Sequence, residues 1–408
     1  MIHRLASIAL LAFALPLAAQ SQPRLIGFTQ LMNNLKTNTS TCATQQCAVP
    51  GVPVPPSPIA GGTAYDANRG AVWMTNGFVL GMFDPLNCAP LCPPFALGPI
   101  LGNALATGLA LNENKGIMFL SDNMDRIHVL KPACPMLPGN VCSLVGVLPA
   151  GYKVGGIASD DVNSLLFYAA SDWSAAVPNT IVYVAPQNAP CAPICKFQVP
   201  NGCIGLTLGH ITGVAYQCCR DIVWLTDGRL SMGLAFSKAN CSVQLLTCCA
   251  MPGNDRYVGL CIEPSHPATV GSSCTAPNCA PCATMAHDHV GDPTLGNPSF
   301  GLRLVNAPAN ASSLLVLNLG ACNPPGIPIG IFCGPLLVPL APTSPITVLM
   351  PTGGTTGCTG GGTLNLAIPL NPFFCGITLS SQFLIVCPSA AGIGTGVSNC
   401  LSWTISST

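Results

Sequence analysis

The chain has 408 residues, 49% of them hydrophobic, which is enough apolar material for a large core or for two domains. Only 14 basic and 14 acidic residues are present and the net charge is zero, which argues against nucleic acid and acidic lipid surfaces as partners. So few charges also give little electrostatic protection against self-association.

Residues 1–20 have the pattern of a secretory signal peptide. A short basic segment with Arg4 precedes the apolar stretch Leu5–Leu17, and the small residues Ala18-Ala19 precede polar Ser21. Later apolar runs are broken by prolines before the ~18 residues that a transmembrane helix needs. We therefore predict an exported protein without a transmembrane segment, either secreted or associated with the cell envelope, in the periplasm or outside the cell.

A repeat with five copies organises the next part of the chain. Its clearest copy, residues 108–132, has three short apolar strands separated by turns rich in Asn, Asp and Gly. The opening glycines are 46, 48, 57 and 46 residues apart, a spacing typical of propeller blades. These glycines are Gly62, Gly108, Gly156, Gly213 and Gly259. The residues eleven positions later are Trp73, Phe119, Phe167, Trp224 and, in the fifth copy, Val270.

The two ends of this region predict one shared blade. Residues after Arg24 have the pattern of the last two strands of a blade, and residues 259–283 supply a first and second strand without a clear third or fourth. Completing one blade from both termini leaves no free sheet edge. We predict an all-β propeller over residues 21–285 with five blades, or with six if residues 274–289 form a degenerate blade.

The sequence pattern changes near Gly291, where the glycine-aromatic repeat is no longer found. Short apolar strands separated by Pro and Gly follow, without a helix-period segment through Ile405. We therefore predict an antiparallel β-sandwich as a second domain, over residues 286–408.

The 24 cysteines of an exported chain indicate disulfides. Pairs of cysteines recur once per repeat, after the third strand, where a bridge would close the hairpin into a fourth strand. The predicted hairpin pairs are Cys42 with Cys47, Cys88 with Cys92, Cys134 with Cys142, Cys191 with Cys195, and Cys241 with Cys248 or Cys249.

Two sequence resemblances extend this interpretation. The segment that begins Phe119-Leu-Ser-Asp-Asn-Met-Asp-Arg-Ile-His-Val-Leu resembles the core of NHL and YVTN-type propeller repeats. Residues 291–408 resemble a C-terminal module that recurs in bacterial secreted proteins, through the Pro-x-Leu-Gly start at Pro293, the hairpin at Asn306 and the Ser-Ser-Gln-Phe strand at Ser380. The second resemblance implies no activity.

Propellers commonly bind ligands on the face where the entry loops and the turns between second and third strands converge. In this chain that face would present Asn76, Asp122, Asp125, Asp172, His210, Asp227 and Arg229. The alternative is that the Asn and Asp side chains only cap their own turns by bonding nearby backbone groups.

The resemblance to propeller enzymes implies a second candidate site, because lactonases and lyases of this fold hold calcium with channel carboxylates and amides. Asp66, Asn112, Asp160, Gln217 and Glu263 end the first strands near the channel. With no nucleophile or hydrolase motif in view, we expect no cofactor, and calcium remains the alternative.

A third cluster has metal-like spacing but a simpler interpretation. Cys274, Cys279 and Cys282 precede His287 and His289, with Asp288 and Asp292 beside them. Zinc could be held by such a set. In an exported chain we prefer disulfides for the three cysteines and a stapled linker for the segment.

The favoured function is therefore a non-enzymatic binding protein whose propeller face meets a glycan, peptide or protein ligand. A calcium-dependent propeller hydrolase or lyase is the first alternative, and a structural component of the cell envelope or matrix, formed by self-association, is the second.

Overall fold

The computed structural model describes residues 24–29, 33–38, 44–49, 60–203, 205–250, 257–276, 278–341, 343–389 and 392–406. The predicted signal peptide, residues 1–20, lies outside these ranges. Strands are the main secondary structure of the described chain, which has one short helix, α1 (Gly98–Leu101), and two 3-10 turns, Cys218–Arg220 and Pro372–Phe374. Among the described residues, no helix is long and apolar enough to cross a membrane. The chain divides into two compact units, the N-terminal unit Gln22–Pro264 and the C-terminal unit Ser265–Ser406, and this division precedes the boundary expected from the sequence.

Five four-stranded antiparallel sheets, A to E, make up most of the N-terminal unit. Sheet A contains β1 (Arg24–Thr29), β2 (Asn33–Asn38), β3 (Thr44–Ala48) and β22 (Tyr257–Glu263). Sheet B contains β4 (Gly62–Asp66), β5 (Ala71–Thr75), β6 (Val79–Phe83) and β7 (Pro90–Ala96). Sheet C contains β8 (Ala106–Asn112), β9 (Ile117–Asp122), β10 (Arg126–Lys131) and β11 (Leu137–Ser143). Sheet D contains β12 (Tyr152–Asp160), β13 (Leu165–Asp172), β14 (Thr180–Pro186) and β15 (Cys195–Gln198). A ribbon of β16 (Gly202–Cys203) and β17 (Leu206–Thr207) leads to sheet E, which contains β18 (Gly213–Gln217), β19 (Ile222–Thr226), β20 (Leu230–Ser237) and β21 (Ser242–Ala250).

The repeated glycine and aromatic residue have fixed places in sheets B to E. The glycine lies in the first strand, and the aromatic residue lies in the second strand, opposite the alanine two positions after the glycine. The pairs are Ala64 with Trp73, Ala110 with Phe119, Ala158 with Phe167, and Ala215 with Trp224. All four aromatic rings are buried, so the repeat in the sequence corresponds to one core position in each sheet.

One outer strand of each sheet takes part in a ring of contacts. These first strands are β4, β8, β12, β18 and β22 of sheets B, C, D, E and A; they contact one another in that order, and β22 contacts β4. A Cβ atom at Gly62 would lie 2.6 Å from the amide nitrogen of Leu109, and one at Gly259 would lie 2.8 Å from the carbonyl carbon of Gly62. Gly108, Gly156 and Gly213 meet the next strand in the same way. Only glycine allows this approach of neighbouring backbones. The closed ring of first strands is the arrangement of a β-propeller.

Sheet A is built from both ends of the N-terminal unit, but not with two strands from each end. Its order is β22-β1-β2-β3, with Arg24 of β1 opposite Glu263 of β22. The C-terminal end therefore supplies one strand, and the expected second strand near Val270 pairs instead with the C-terminal unit. The sequence of β1 explains why this strand takes the second position of sheet A. Its apolar residues, including the buried Ile26 and Phe28, supply the core side chains that the second strand of a sheet contributes.

The described disulfides of the five sheets join neighbouring sheets, so the predicted hairpin pairing is wrong. Cys92 bonds Cys134, Cys142 bonds Cys191, and Cys195 bonds Cys241, while Cys203 of the ribbon bonds Cys248. Cys88 and Cys249 are also disulfide-bonded. The pair of Cys42 and Cys47 falls on side chains outside the described part.

The physical reason for this pairing is where the side chains lie. Cys92 packs in the apolar layer between sheets B and C, and Cys142 and Cys191 pack in the layer between sheets C and D. Each cysteine therefore meets a partner from the adjacent sheet. The three bridges span 42, 49 and 46 residues of sequence. In the chain-entropy account each is worth about 4 kcal/mol, compared with about 2 kcal/mol for a short hairpin loop.

The C-terminal unit contains two antiparallel sheets, F and G. Sheet F contains β23 (Ala268–Val270), β24 (Cys274–Thr275), β27 (Ser312–Leu319), β28 (Ile346–Pro351), β30 (Thr378–Ser389), β31 (Gly392–Val397) and β32 (Cys400–Thr404). Its order is β23-β32-β30-β27-β28, and β31 pairs with both β24 and β30. Sheet G has the order β25 (Ala286–Val290), β26 (Gly301–Ala307) and β29 (Gly360–Asn365).

Aromatic contacts join the two sheets. The ring of His287 in sheet G lies 4.8 Å from that of Phe383 in sheet F, and Phe300 lies 4.8 Å from Trp403. The unit has four described disulfides, Cys274 with Cys333, Cys279 with Cys387, Cys282 with Cys358, and Cys322 with Cys400. The three cysteines of the metal-like cluster are thus all in bridges. They belong to the folded C-terminal unit rather than to a linker.

Candidate functional site

One end of sheets B to E, here called the loop face, is formed by the turns between second and third strands and by the described connections between these sheets. Main-chain hydrogen bonds join these two kinds of segment. Ala106 N donates to Gly77 O at 3.0 Å, Asn123 N donates to Leu105 O at 2.9 Å, and Trp173 N donates to Gly151 O at 3.0 Å. The face is therefore a set of short, mutually braced turns.

The predicted binding residues of this face are mostly turn caps. Asn76 Oδ1 accepts hydrogen bonds from the amides of Phe78 and Val79, at 3.0 and 2.9 Å. Asp122 Oδ1 accepts from the amides of Met124 and Arg126, at 2.9 and 3.1 Å. Asn76 and Asp122 are fully buried. Their oxygens satisfy the turn and are not open to a ligand.

Sheets D and E repeat the arrangement. Asp172 Oδ1 accepts from the amide of Ser174 at 2.9 Å and from its hydroxyl at 2.6 Å. These bonds hold the pKa of Asp172 below its ordinary value. Asp227 accepts from the amides of Arg229 and Leu230, both at 2.8 Å, and is buried.

Asp122 also forms a buried polar group with His128 and Arg126. His128 Nε2 lies 2.8 Å from Asp122 Oδ2, and Arg126 Nε donates to the same oxygen at 2.7 Å. Burial raises the pKa of Asp122, but the hydrogen bonds from His128 and Arg126 outweigh it, so the pKa lies below its ordinary value. This histidine supports a turn and a strand, and sequence reasoning did not single it out.

The other predicted residues of the loop face occupy separate places. Asp125 forms an ion pair with Lys153 at 2.7 Å, which links a turn of sheet C to the first strand of sheet D. His210 stacks on Trp173 with ring centroids 3.9 Å apart. Arg229 is largely exposed and lies 3.4 Å from Asp227. Of the predicted residues of this face, Arg229 is therefore the exposed one, and Asp125, Asp172 and His210 are half-buried.

The turns between second and third strands expose apolar side chains in sheets B, C and D. Phe78 and Met124, each two residues after its capping Asn or Asp, are 50% and 54% exposed. Val177, in the corresponding turn of sheet D, is 58% exposed. Sequence reasoning missed these residues because it followed the polar side chains. The sequence carried a partial signal, since Phe78 and Met124 each lie two positions after an Asn or Asp of a predicted turn, and the corresponding Ser174 and Arg229 are exposed as well.

The opposite end of the sheets holds the predicted calcium residues, and side-chain atoms of Asp66, Asn112 and Asp160 are engaged by neighbouring groups. Asp66 Oδ2 accepts from Arg69 and, at 3.2 Å, from Trp73 Nε1. Asn112 donates to Gln187 at 2.7 Å, and Asp160 accepts from the side chain of Asn163 at 2.8 Å. Gln217 and Glu263 are buried. Within the described ranges, no three His, Cys, Asp or Glu side chains are close enough to hold a metal ion.

Two carboxyl groups at this end, Glu113 and Asp161, were not identified from the sequence. Glu113 Oε1 accepts from Ala67 N in the first turn of sheet B, and Asp161 Oδ2 accepts from Glu113 N at 3.1 Å. Burial raises the pKa of Asp161 to about 7. Burial, together with the Asp66 carboxylate, raises the pKa of Glu113 well above its ordinary value. The two groups link the first turns of three successive sheets.

The space on the axis is too small for a substrate. A cavity of about 40 Å³ is lined by the first strands, with mainly apolar side chains such as Leu109, Ile157 and Leu260. Such a volume holds a few water molecules, whereas small-molecule sites have about 300 Å³ or more.

No family model and no curated protein sequence matches this chain. Similar solved structures include a nidogen/laminin complex, at 14% identity and a TM-score of 0.36 over 59% of this chain and 98% of that chain. The Cps50 (Swd1) β-propeller domain of Myceliophteria thermophila is 8% identical, with a TM-score of 0.35 over 57% of this chain and 72% of that chain. The RRP9 WD40 repeats are 10% identical, with a TM-score of 0.35 over 58% and 83% of the two chains. The propeller assignment rests on the ring of sheets rather than on these scores.

Proposed function

We propose that the protein is an exported, non-enzymatic binding protein that recognises a protein ligand through the loop face. In this proposal sheets A to E are the five blades of an NHL-like propeller closed by strands from both ends, and sheets F and G form a β-sandwich of the kind recurrent in bacterial secreted proteins. The observation that carries it is the exposure of Phe78 and Met124 on turns whose caps are buried. Exposed apolar side chains on rigid turns suit a protein surface, because little conformational entropy is lost on binding.

Export is supported by the disulfides. Eight bridges are described across the two units, and disulfides persist in oxidising compartments. The signal-peptide pattern of residues 1–20 points the same way.

The calcium-dependent hydrolase alternative receives less support. Asp66, Asn112 and Asp160 use their polar atoms to bind neighbouring side chains, and the axial cavity has no room for a substrate. A protein-binding face requires neither a metal nor a deep cavity. The half-buried Trp173–His210 stack adds an aromatic pair to the loop face, which suits the same kind of ligand.

The test compares two sets of exposed apolar residues. The double variant Phe78→Ser, Met124→Ser removes apolar side chains from the loop face, and Leu86→Ser removes one from the opposite end, where Leu86 is 68% exposed in the turn between β6 and β7. Each immobilised protein is exposed to the extracellular fraction of the producing organism. The proposal expects a bound protein whose affinity falls by about tenfold or more in the double variant and stays unchanged in Leu86→Ser. Identical binding by both variants would contradict it.

A further inference from the structure

Strand β28 of the C-terminal unit lies at the edge of sheet F. It pairs with β27 over Ser312↔Pro351 to Leu317↔Ile346, and in the described residues it pairs with no other strand. Its side chains are mostly exposed, and Leu349 is 73% exposed. An edge strand presents a row of main-chain donors and acceptors that another strand can join.

The hydrogen bonds identify which groups of β28 point outward. Thr352 N donates to Ala311 O at 2.8 Å, and Ser313 Oγ donates to Met350 O at 2.9 Å, so the main chain at 350 and 352 faces β27. In an antiparallel pair this direction alternates along the strand. The amide and carbonyl groups of Thr347 and Leu349 therefore point away from sheet F.

Natural edge strands usually carry a charge, especially Lys, an inward-pointing charged residue or a bulge that prevents pairing with another chain. This strand has no charge and no bulge. Proline is a further such device, but Pro345 and Pro351 stand at the two ends of the strand and leave the amides of residues 346–350 in place. Its sequence, Ile-Thr-Val-Leu-Met, is uncharged and rich in residues that favour β-structure, and the register with β27 is regular. No Asp, Glu, Lys, Arg or His occurs anywhere after Arg303. A second copy of the strand would therefore meet no electrostatic repulsion from the strand itself, and a charged partner would find no complementary charge on it.

We propose that β28 is a self-association site, at which two copies of the chain pair their β28 strands antiparallel about a two-fold axis at Val348. In this register Thr347 of one copy lies opposite Leu349 of the other, and the outward amide and carbonyl groups of both residues form four main-chain hydrogen bonds. Pro345 and Pro351 bracket the paired segment, because neither can donate a further bond. The site is independent of the loop face.

The direct test uses two substitutions at one residue. Leu349→Pro removes the outward amide, whereas Leu349→Ala removes the same apolar side chain and keeps the amide. Neither substitution removes an amide that bonds β27. By sedimentation of the oxidised full chain from about 1 µM to about 1 mM, we expect a reversible dimer for the wild type. The dimer loses two of its four hydrogen bonds in Leu349→Pro, so its Kd should be about 30-fold higher than that of Leu349→Ala.

Hydrogen exchange on the wild type provides a second readout that does not depend on a variant. The amides of Thr347 and Leu349 should be protected at concentrations above the dimer Kd and unprotected below it, and near-ultraviolet circular dichroism should show that the variants are folded. A wild type that stays monomeric up to about 1 mM would overturn the proposal. Equal weakening by Leu349→Pro and Leu349→Ala, or protection that does not change with concentration, would overturn it as well.

Discussion

Replacing Asp161 by Asn is expected to stabilise the N-terminal unit at pH 8 by about 4 kcal/mol and to leave its stability at pH 3 unchanged. The pKa of this carboxyl group is raised by burial to about 7 in the folded protein, from its ordinary value of 3.8. The folded state therefore binds the proton more tightly than the unfolded state does. The stability contributed by that proton is complete below about pH 4 and is lost as the pH rises through about 7. Asn resembles the protonated acid and carries no such penalty.

The groups around Asp161 also contribute to its pKa and therefore to the size of this effect. Its neighbours are Glu113, Asp160 and Lys115, and Ser159 Oγ forms a hydrogen bond with its Oδ1. Asp161→Ala is the matched control, because it also removes the charge but leaves the Glu113 amide without its acceptor. It should therefore gain about 1–3 kcal/mol less than Asp161→Asn. Denaturation at several pH values, with hydrogen exchange of peptides from β8 and β12, measures both variants. A wild-type stability that rises between pH 4 and pH 8 in these peptides, with no gain in Asp161→Asn, would contradict the prediction.

The C-terminal unit is expected to show the opposite trend and to lose about 3 kcal/mol of stability between pH 7 and pH 4. Burial lowers the pKa of His287 to about 3, from its ordinary value of 6.5. The folded state therefore binds this proton less tightly than the unfolded state does. The stability is complete above about pH 6.5 and is lost as the pH falls toward 3. The ring contacts Phe383 edge-on and lies 3.4 Å from Ser381 Oγ, so it has no room for the water that a charged ring would need.

His287→Phe separates the charge effect from packing. The variant keeps a ring against Phe383 and loses the contact with Ser381, so its stability at pH 7 should be slightly lower while its dependence on pH between 7 and 4 should be flat. His289→Asn, on the same strand, leaves His287 in place and should retain the acid loss. Hydrogen exchange of peptides from β30 and β32 reports this unit alone. An acid loss of equal size in the wild type and in His287→Phe would show that another group is responsible.

The sequence was most informative about the first strands and the aromatic residues that face them. The spacing of the glycines predicted the length of the structural repeat. The five repeated glycines, from Gly62 in the first copy to Gly259 in the fifth, lie in the ring because only glycine allows neighbouring first strands to approach so closely. Phe119 and its equivalents were identified because a buried aromatic residue recurs at one register position. These features are local in sequence and repeated, so a single chain displays them.

The disulfides could not be deduced in the same way. Cysteines that are near each other in sequence, such as Cys134 and Cys142, bond to different sheets, because pairing follows the apolar layer into which each side chain points. The loop face was only half predicted for a related reason. Asn76 and Asp122 were identified as polar residues of turns, but whether such a side chain faces a ligand or caps its own turn depends on three-dimensional geometry. The same is true of Glu113, whose partner Ala67 lies 46 residues away.

The central claim is that neighbouring sheets of the N-terminal unit are held in one ring, by glycine contacts at the axis and by disulfides between sheets. Peptide mapping of the unreduced protein by mass spectrometry, with digestion at low pH to prevent exchange, tests it most directly. The structure predicts linked peptides that contain Cys92 with Cys134, Cys142 with Cys191, and Cys195 with Cys241. Linkage of Cys134 with Cys142 and of Cys191 with Cys195 would contradict it, since the bridges would then close single hairpins and join no sheets.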